Sequence, residues 1–216
     1  MPTRLFELYS TDILCSKLRS LAKPALGKFS PHQLFTVGTP AYLSHNTKVE
    51  YEQMAIKNNE SQWLCFESLY EEVLASLGLF FNEKIFFSLR AAIPGFHVIL
   101  LNEDNPKYHG GVAHIDTSYN NVPMFSEIND PIEHYSFTML LSESADDIGL
   151  VYWMPGTSEL EAEASNPTEF VPYRCGELTL FSSELVHRIS PFSSQFERIT
   201  LQGHLLRFNG KLLAYW

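Results

Sequence analysis

Gly176-Glu177-Leu178-Thr179-Leu180-Phe181-Ser182-Ser183-Glu184-Leu185-Val186-His187-Arg188-Ile189 reads as two short strands joined by a turn. Leu178 and Leu180 alternate with Glu177 and Thr179, and successive strand side chains point to opposite faces. Gly176 opens the first strand and Ser182-Ser183-Glu184 supplies the turn signal. Outward from this stretch the same period of two recurs from residue 85 onward. It predicts strands at 85–92, 96–102, 111–116, 134–142, 149–154, 177–182, 185–190 and 197–208. Asn209-Gly210, a strong hairpin dipeptide, joins the last of these to a strand at 211–216. Many short strands after helices predict a mainly β fold with supporting helices. The expected form is a double-stranded β-helix, or jelly roll, with N-terminal helices packed on one sheet. Residues 1–216 are expected to form one domain, with 1–80 as mostly helical support and 85–216 as the jelly-roll core.

The N-terminal part carries the other period. Leu5, Leu8, Tyr9, Asp12, Ile13 and Leu18 give a mostly helical stripe that ends near Pro24 or Gly27. A loop with a short strand at Phe35 to Leu43 follows. A helix capped by Ser61 or Asn59 is predicted to run to Gly78, with Trp63, Phe66, Tyr70, Val73 and Leu77 on one face packing against a sheet. Glu159, Glu161, Glu163 and Glu169 form an acidic patch that reads as a solvated surface loop.

Chemistry is concentrated at His114-Ile115-Asp116. On a strand the first and third of these share a face, so one ion can take both. His187 adds a second imidazole from another predicted strand. Two imidazoles and one carboxylate on one side of a metal leave the opposite positions open, the ligand pattern of mononuclear non-haem Fe(II) oxygenases. A zinc site could use the same three residue types. Arg198 and Thr200 follow, the arginine eleven residues beyond His187, on one face of the next strand. A guanidinium and a hydroxyl so placed can hold a carboxylate. A zinc hydrolase needs no such partner, which favours the iron reading. Gln202 and His204 continue that inward face. Residues 117–131 begin at the metal motif and suit a lid, with Tyr119 and Asn120 as substrate contacts. His32, His45, His109 and His134 have no supporting context.

With these motifs the chain resembles the Fe(II)/2-oxoglutarate-dependent dioxygenases. Gly149-Leu150-Val151-Tyr152-Trp153-Met154-Pro155-Gly156-Thr157-Ser158 and the 176–188 stretch are similar to segments of the phytanoyl-CoA-hydroxylase-like members. Glu159 stands where those members carry a histidine. The resemblance covers roughly residues 85–208. It implies Fe(II) on His114, Asp116 and His187, and 2-oxoglutarate as co-substrate with its far carboxylate on Arg198 and Thr200. A polar residue on a preceding strand, His97 or Arg90, is expected against the co-substrate. The implied reaction oxidises an unactivated C–H bond of a small metabolite or amino-acid derivative with O₂, giving succinate and CO₂. Halogenation is disfavoured because Asp116 fills the position a halide would need. Two alternatives are a non-catalytic jelly-roll binding module and a metal-dependent oxidase that does not use 2-oxoglutarate.

Composition argues against nucleic acid as a partner, and a small-molecule substrate is expected because no peptide- or carrier-docking module is recognisable. A net charge of −10 on 216 residues argues against nucleic acid, since phosphate contacts need a basic surface. Cys15, Cys65 and Cys175 are odd in number and far apart, so no disulfide framework is expected and a reducing compartment is. With no secretory pattern and no apolar run of membrane-spanning length, a cytoplasmic protein is expected.

Overall fold

The computed structural model describes residues 3–7, 12–21, 23–24, 33–42, 47–101, 107–108, 110–128, 133–142, 148–193 and 197–216. His32, His45 and His109 lie outside them. In chain order the strands of the N-terminal half are β1 (Thr3–Glu7), β2 (Lys23–Pro24), β3 (Gln33–Val37), β4 (Ile85–Phe87), β5 (Gly95–Leu100) and β6 (Lys107–Tyr108). The remainder are β7 (His134–Leu140), β8 (Gly149–Tyr152), β9 (Glu169–Pro172), β10 (Glu177–Ser182), β11 (His187–Ile189), β12 (Phe192–Ser193), β13 (Arg198–Phe208) and β14 (Lys211–Tyr215). The helices are α1 (Asp12–Leu21), α2 (Lys48–Phe81) and α3 (Glu159–Ala164).

One large sheet runs β1-β10-β7-β13-β5-β3-β2, and a small one runs β11-β8-β9. His114 bridges to His187 on the free side of β11, giving the small sheet a fourth member. From β5 the chain passes to the His114 segment, back to β7, across to β8 and β9, back to β10, across to β11 and home to β13. That alternation between two facing sheets is the double-stranded β-helix, as the strand pattern predicts.

The large sheet has two chemically different faces. Phe96, Val98, Phe137, Met139, Leu178, Leu180, Ile199 and Leu201 bury one face against Leu18 of α1 and Phe66, Tyr70, Val73 and Leu77 of α2. The aromatic stripe of α2 is therefore core. The other face turns Ser136, Thr138, Thr200 and His204 toward the small sheet. In register, Thr200 opposes both His97 and Leu140, Gln202 opposes Thr138, and His204 opposes Ser136. Because helices take the apolar face, the polar face is left for the barrel interior.

Several elements differ from the sequence expectation. The helix predicted from Leu5 begins only at Asp12; Thr3–Glu7 is instead a strand paired with β10. Its pairing covers the edge of β10, a non-local benefit that outweighs the local helical spacing. The second helix starts at Lys48 rather than near Ser61, with Thr47 and Glu50 forming a reciprocal capping box. It bends at Phe66, whose φ and ψ are −133° and 26°, and passes Gly78 to end at Asn82 in the left-handed region. Residues 88–92 and 111–116 are not strands, whereas Glu169–Pro172 is.

α2 also fixes the strand that leads into the site. Asn59 donates to the Ala91 carbonyl at 2.8 Å and accepts from the Ile93 amide at 3.0 Å. Gln62 donates to the Pro94 carbonyl at 2.7 Å. Just beyond, Gly95 lies against the fully buried Trp216 ring; a Cβ there would sit 1.9 Å from ring carbons. Gly95→Ala is expected to destabilise the fold by about 3 kcal/mol, since neither the strand nor the ring can yield. Urea unfolding measures this, and an unchanged midpoint would show that Trp216 can move aside.

Candidate metal centre

His114 and Asp116 sit on the segment that edges β11, and His187 is the first residue of β11 itself. The two histidines exchange backbone bonds, His114 N–H to the His187 carbonyl at 3.0 Å and the return bond at 2.9 Å. The Asp116 amide donates to the Ser183 carbonyl at 3.0 Å. These bonds place the three side chains on one side of the small sheet, with ligand atoms all within 4.8 Å of one another. His114 Nε2 lies 3.6 Å from Asp116 Oδ1, and His187 Nε2 lies 3.5 Å from Asp116 Oδ2.

Each imidazole has its other nitrogen committed. His114 Nδ1 meets the Val112 carbonyl and His187 Nδ1 the Leu185 carbonyl, both at 2.8 Å. A carbonyl only accepts, so Nδ1 carries the proton and Nε2 keeps its lone pair facing Asp116. The donor set therefore fits a divalent metal. Burial opposes ionisation of Asp116. The positive charge that His187, His204 and His114 carry when protonated, with the Ser136 hydroxyl bond, outweighs it in the metal-free site and holds the carboxyl well below the usual range; a metal would take the place of those protons.

Behind Asp116 lies a polar relay that the sequence reading does not anticipate. Ser136 donates to the Asp116 carboxylate and also meets Ser183 Oγ at 2.7 Å and His204 Nδ1 at 3.0 Å. The only sequence signal for Ser136 is a hydroxyl on the inward face of β7. His134, without context in the sequence, bonds the Tyr215 hydroxyl at 2.9 Å.

A cavity of about 450 Å³ opens above the cluster. The three cluster residues line it together with Tyr42, His97, Ser136, Thr138, Tyr173, Gln202 and His204. Apolar walls come from residues such as Leu34, Ile99, Leu150 and Phe181. His97 bonds the Tyr42 hydroxyl through Nε2. Arg90, the other polar candidate, instead pairs with Glu52 at the surface. Arg198 and Thr200 are fully buried on the inward face of β13 and do not themselves line the cavity. The Arg198 charge is nevertheless felt at Tyr42, His97 and Tyr173, all of which do. In the expected lid, Tyr119 and Phe125 are buried in a core cluster with Tyr215 and Trp216, and Asn120 is exposed. Thr117, Ser118 and Asn121 line the cavity in their place.

His97 and His134 are both pushed down to about 3. Burial is the main cause in each, followed by the Arg198 charge for His97 and by His204 for His134. Both rings are neutral in the fold and gain protons on unfolding between 6.5, their ordinary value, and about 3. The unfolded chain thus binds more protons across this window. Stability is highest above pH 6.5 and falls with acid, by up to ~1.4 kcal/mol per pH unit for each ring. Urea unfolding of the metal-free protein is expected to show a lower midpoint at about pH 5 than at about pH 7. A midpoint that holds or rises on acidification would mean the rings are charged in the fold.

No family model and no curated protein matches the sequence. Solved structures do match. The non-heme alpha ketoglutarate dependent epimerase SnoN from nogalamycin biosynthesis aligns with 97% of this chain and 82% of its own, at 11% identity and a TM-score of 0.53. The non-heme alpha ketoglutarate dependent carbocyclase SnoK from the same biosynthesis aligns with 95% of this chain and 81% of its own, at 11% identity and a TM-score of 0.51. An N-substituted L-amino acid dioxygenase from Burkholderia ambifaria AMMD aligns with 59% of this chain at 15% identity and a TM-score of 0.43. The chain spans about half the length of that protein, 54%. At these identities the likeness of the first two establishes the shared fold.

Proposed function

We propose that this chain is an Fe(II)- and 2-oxoglutarate-dependent oxygenase acting on a C–H bond of a small molecule. The observation that carries the reading is the convergence of His114, Asp116 and His187 inside the barrel, with both Nδ1 atoms tied to carbonyls and both Nε2 atoms turned to Asp116. Iron with 2-oxoglutarate and O₂ supplies the oxidising power, giving succinate and CO₂. His114, Asp116 and His187 would hold the metal. Ser136 and His204 orient the Asp116 carboxylate. Arg198, assisted by Thr200, neutralises the far carboxylate of 2-oxoglutarate, while neutral His97, fixed by Tyr42, offers a hydrogen bond without competing for that charge. The walls keep bulk water from the reacting bond. The two solved structures of the same fold described as alpha ketoglutarate dependent support this reading.

Hydroxylation is the default outcome. Epimerisation and ring closure, the activities named for SnoN and SnoK, are other oxidative outcomes that the same donor set would serve. No helix among the described residues is long and apolar enough to cross a membrane. The substrate proposed is a small molecule, which a cavity of about 450 Å³ can take. The test is succinate release with Fe(II) and 2-oxoglutarate across a panel of small metabolites and amino-acid derivatives. Stimulation by one compound, with that compound oxidised in equal amount, is expected. Oxidation that proceeds without 2-oxoglutarate would favour the oxidase alternative.

A further inference from the structure

Building on the metal-centre reading, we propose that Glu159 and Glu163 are positioning residues that hold the His114–Asp116 segment in ligating register. The amides of His114 and Asp116 point into the small sheet, to the carbonyls of His187 and Ser183. The alternate amides, Ala113 and Ile115, point the other way, where no further strand lies among the described residues. Their partners are carboxylates: Ala113 N–H donates to Glu163 at 2.6 Å and Ile115 N–H to Glu159 at 2.9 Å. Helix α3 thus occupies the place of a missing strand.

The spacing explains why a helix can do this. Residues four apart on a helix rise about 6 Å, and residues two apart on an extended segment rise about 6.6 Å. Glu159 and Glu163 are four apart on one face; Ala113 and Ile115 are two apart on one edge. Ala162 is buried beside Ala113 among Trp153, Val151 and Val186, and two small side chains let helix and segment approach. Ser158 and Glu161 cap the first turn and set where the helix starts. The acidic patch expected to be a solvated loop therefore has a structural task. Without the outer bonds, the segment keeps only the His114–His187 bridge and the Asp116 bond to Ser183 on its inner edge, and His114, half-exposed, is the ligand most easily displaced.

Titration with Co(II), followed by its visible absorption and by heat, tests this without substrate. Glu159→Ala/Glu163→Ala is expected to bind Co(II) 10–100-fold more weakly than wild type, with unchanged far-ultraviolet circular dichroism. Glu159→Gln/Glu163→Gln keeps an acceptor oxygen at each position and should recover most of the affinity, a rescue that a general loss of stability would not give. If the double alanine variant does not fold, Glu159→Ala alone carries the same comparison, because its bond is at the surface. Co(II) affinity equal to wild type in the alanine variant overturns the proposal. Wild-type affinity in Asp116→Ala would instead overturn the metal-centre reading itself, so the two failures are distinguishable.

Discussion

Asp116→Ala is expected to abolish metal binding and turnover while the protein folds normally. Asp116 is the sole carboxylate in the cluster and lies within 3.6 Å of both imidazoles that share it. Removing it leaves two neutral nitrogens facing each other with no charge to offset a divalent ion. Loss of an outer partner costs roughly 10–100-fold in metal affinity, and loss of a charged ligand should exceed that. The fold should survive in the metal-free state with at most a modest loss of stability: the Asp116 charge is favoured overall in the fold, but Ser136 keeps its bonds to Ser183 and His204. Calorimetric Fe(II) titration under anaerobic conditions, beside thermal unfolding, gives both readouts. Retained stoichiometric iron would remove Asp116 from the ligand set.

Arg198→Ala is expected to leave Fe(II) binding nearly intact and raise the 2-oxoglutarate requirement steeply. A charge-assisted bond to a carboxylate contributes ~1.5–3 kcal/mol, which corresponds to a loss of roughly 10–150-fold. Arg198 is wholly buried behind the cavity wall, and no described Lys or Arg lines the cavity itself, so nothing replaces it locally. Arg198→Lys keeps the charge but not the planar fork and should fall between the two. The measurement is the 2-oxoglutarate dependence of succinate formation at fixed iron. Unchanged dependence would mean that the co-substrate lies elsewhere in the barrel; Arg90, paired with Glu52 at the surface, is not positioned to substitute.

What the sequence discloses follows from how local each interaction is. The hairpin between β13 and β14 is legible because Asn209 and Gly210 adopt the positive φ values, 50° and 74°, that their residue types favour. His114 and Asp116 are legible because a period of two holds even in a segment with a single bridge. The first half of α2 is not, because its buried face is Tyr51, Ala55, Asn59 and Gln62 rather than an apolar stripe. Asn59 and Gln62 are satisfied by carbonyls and an amide some thirty residues away, which no local pattern reveals. Ser136 and Tyr42 are not legible for the same reason: each meets its partner, Asp116 or His97, only in the tertiary fold. Glu159 and Glu163 look like solvated charge until the edge they cover is seen.

The most direct measurement adds 2-oxoglutarate to the anaerobic Fe(II)-loaded protein and follows visible absorption. An α-keto acid chelated to Fe(II) absorbs in the visible range, whereas its carboxylate alone does not. A saturable band is predicted in wild type, absent in Asp116→Ala and shifted to much higher 2-oxoglutarate concentration in Arg198→Ala. Stoichiometric iron with no band at any 2-oxoglutarate concentration would contradict the account.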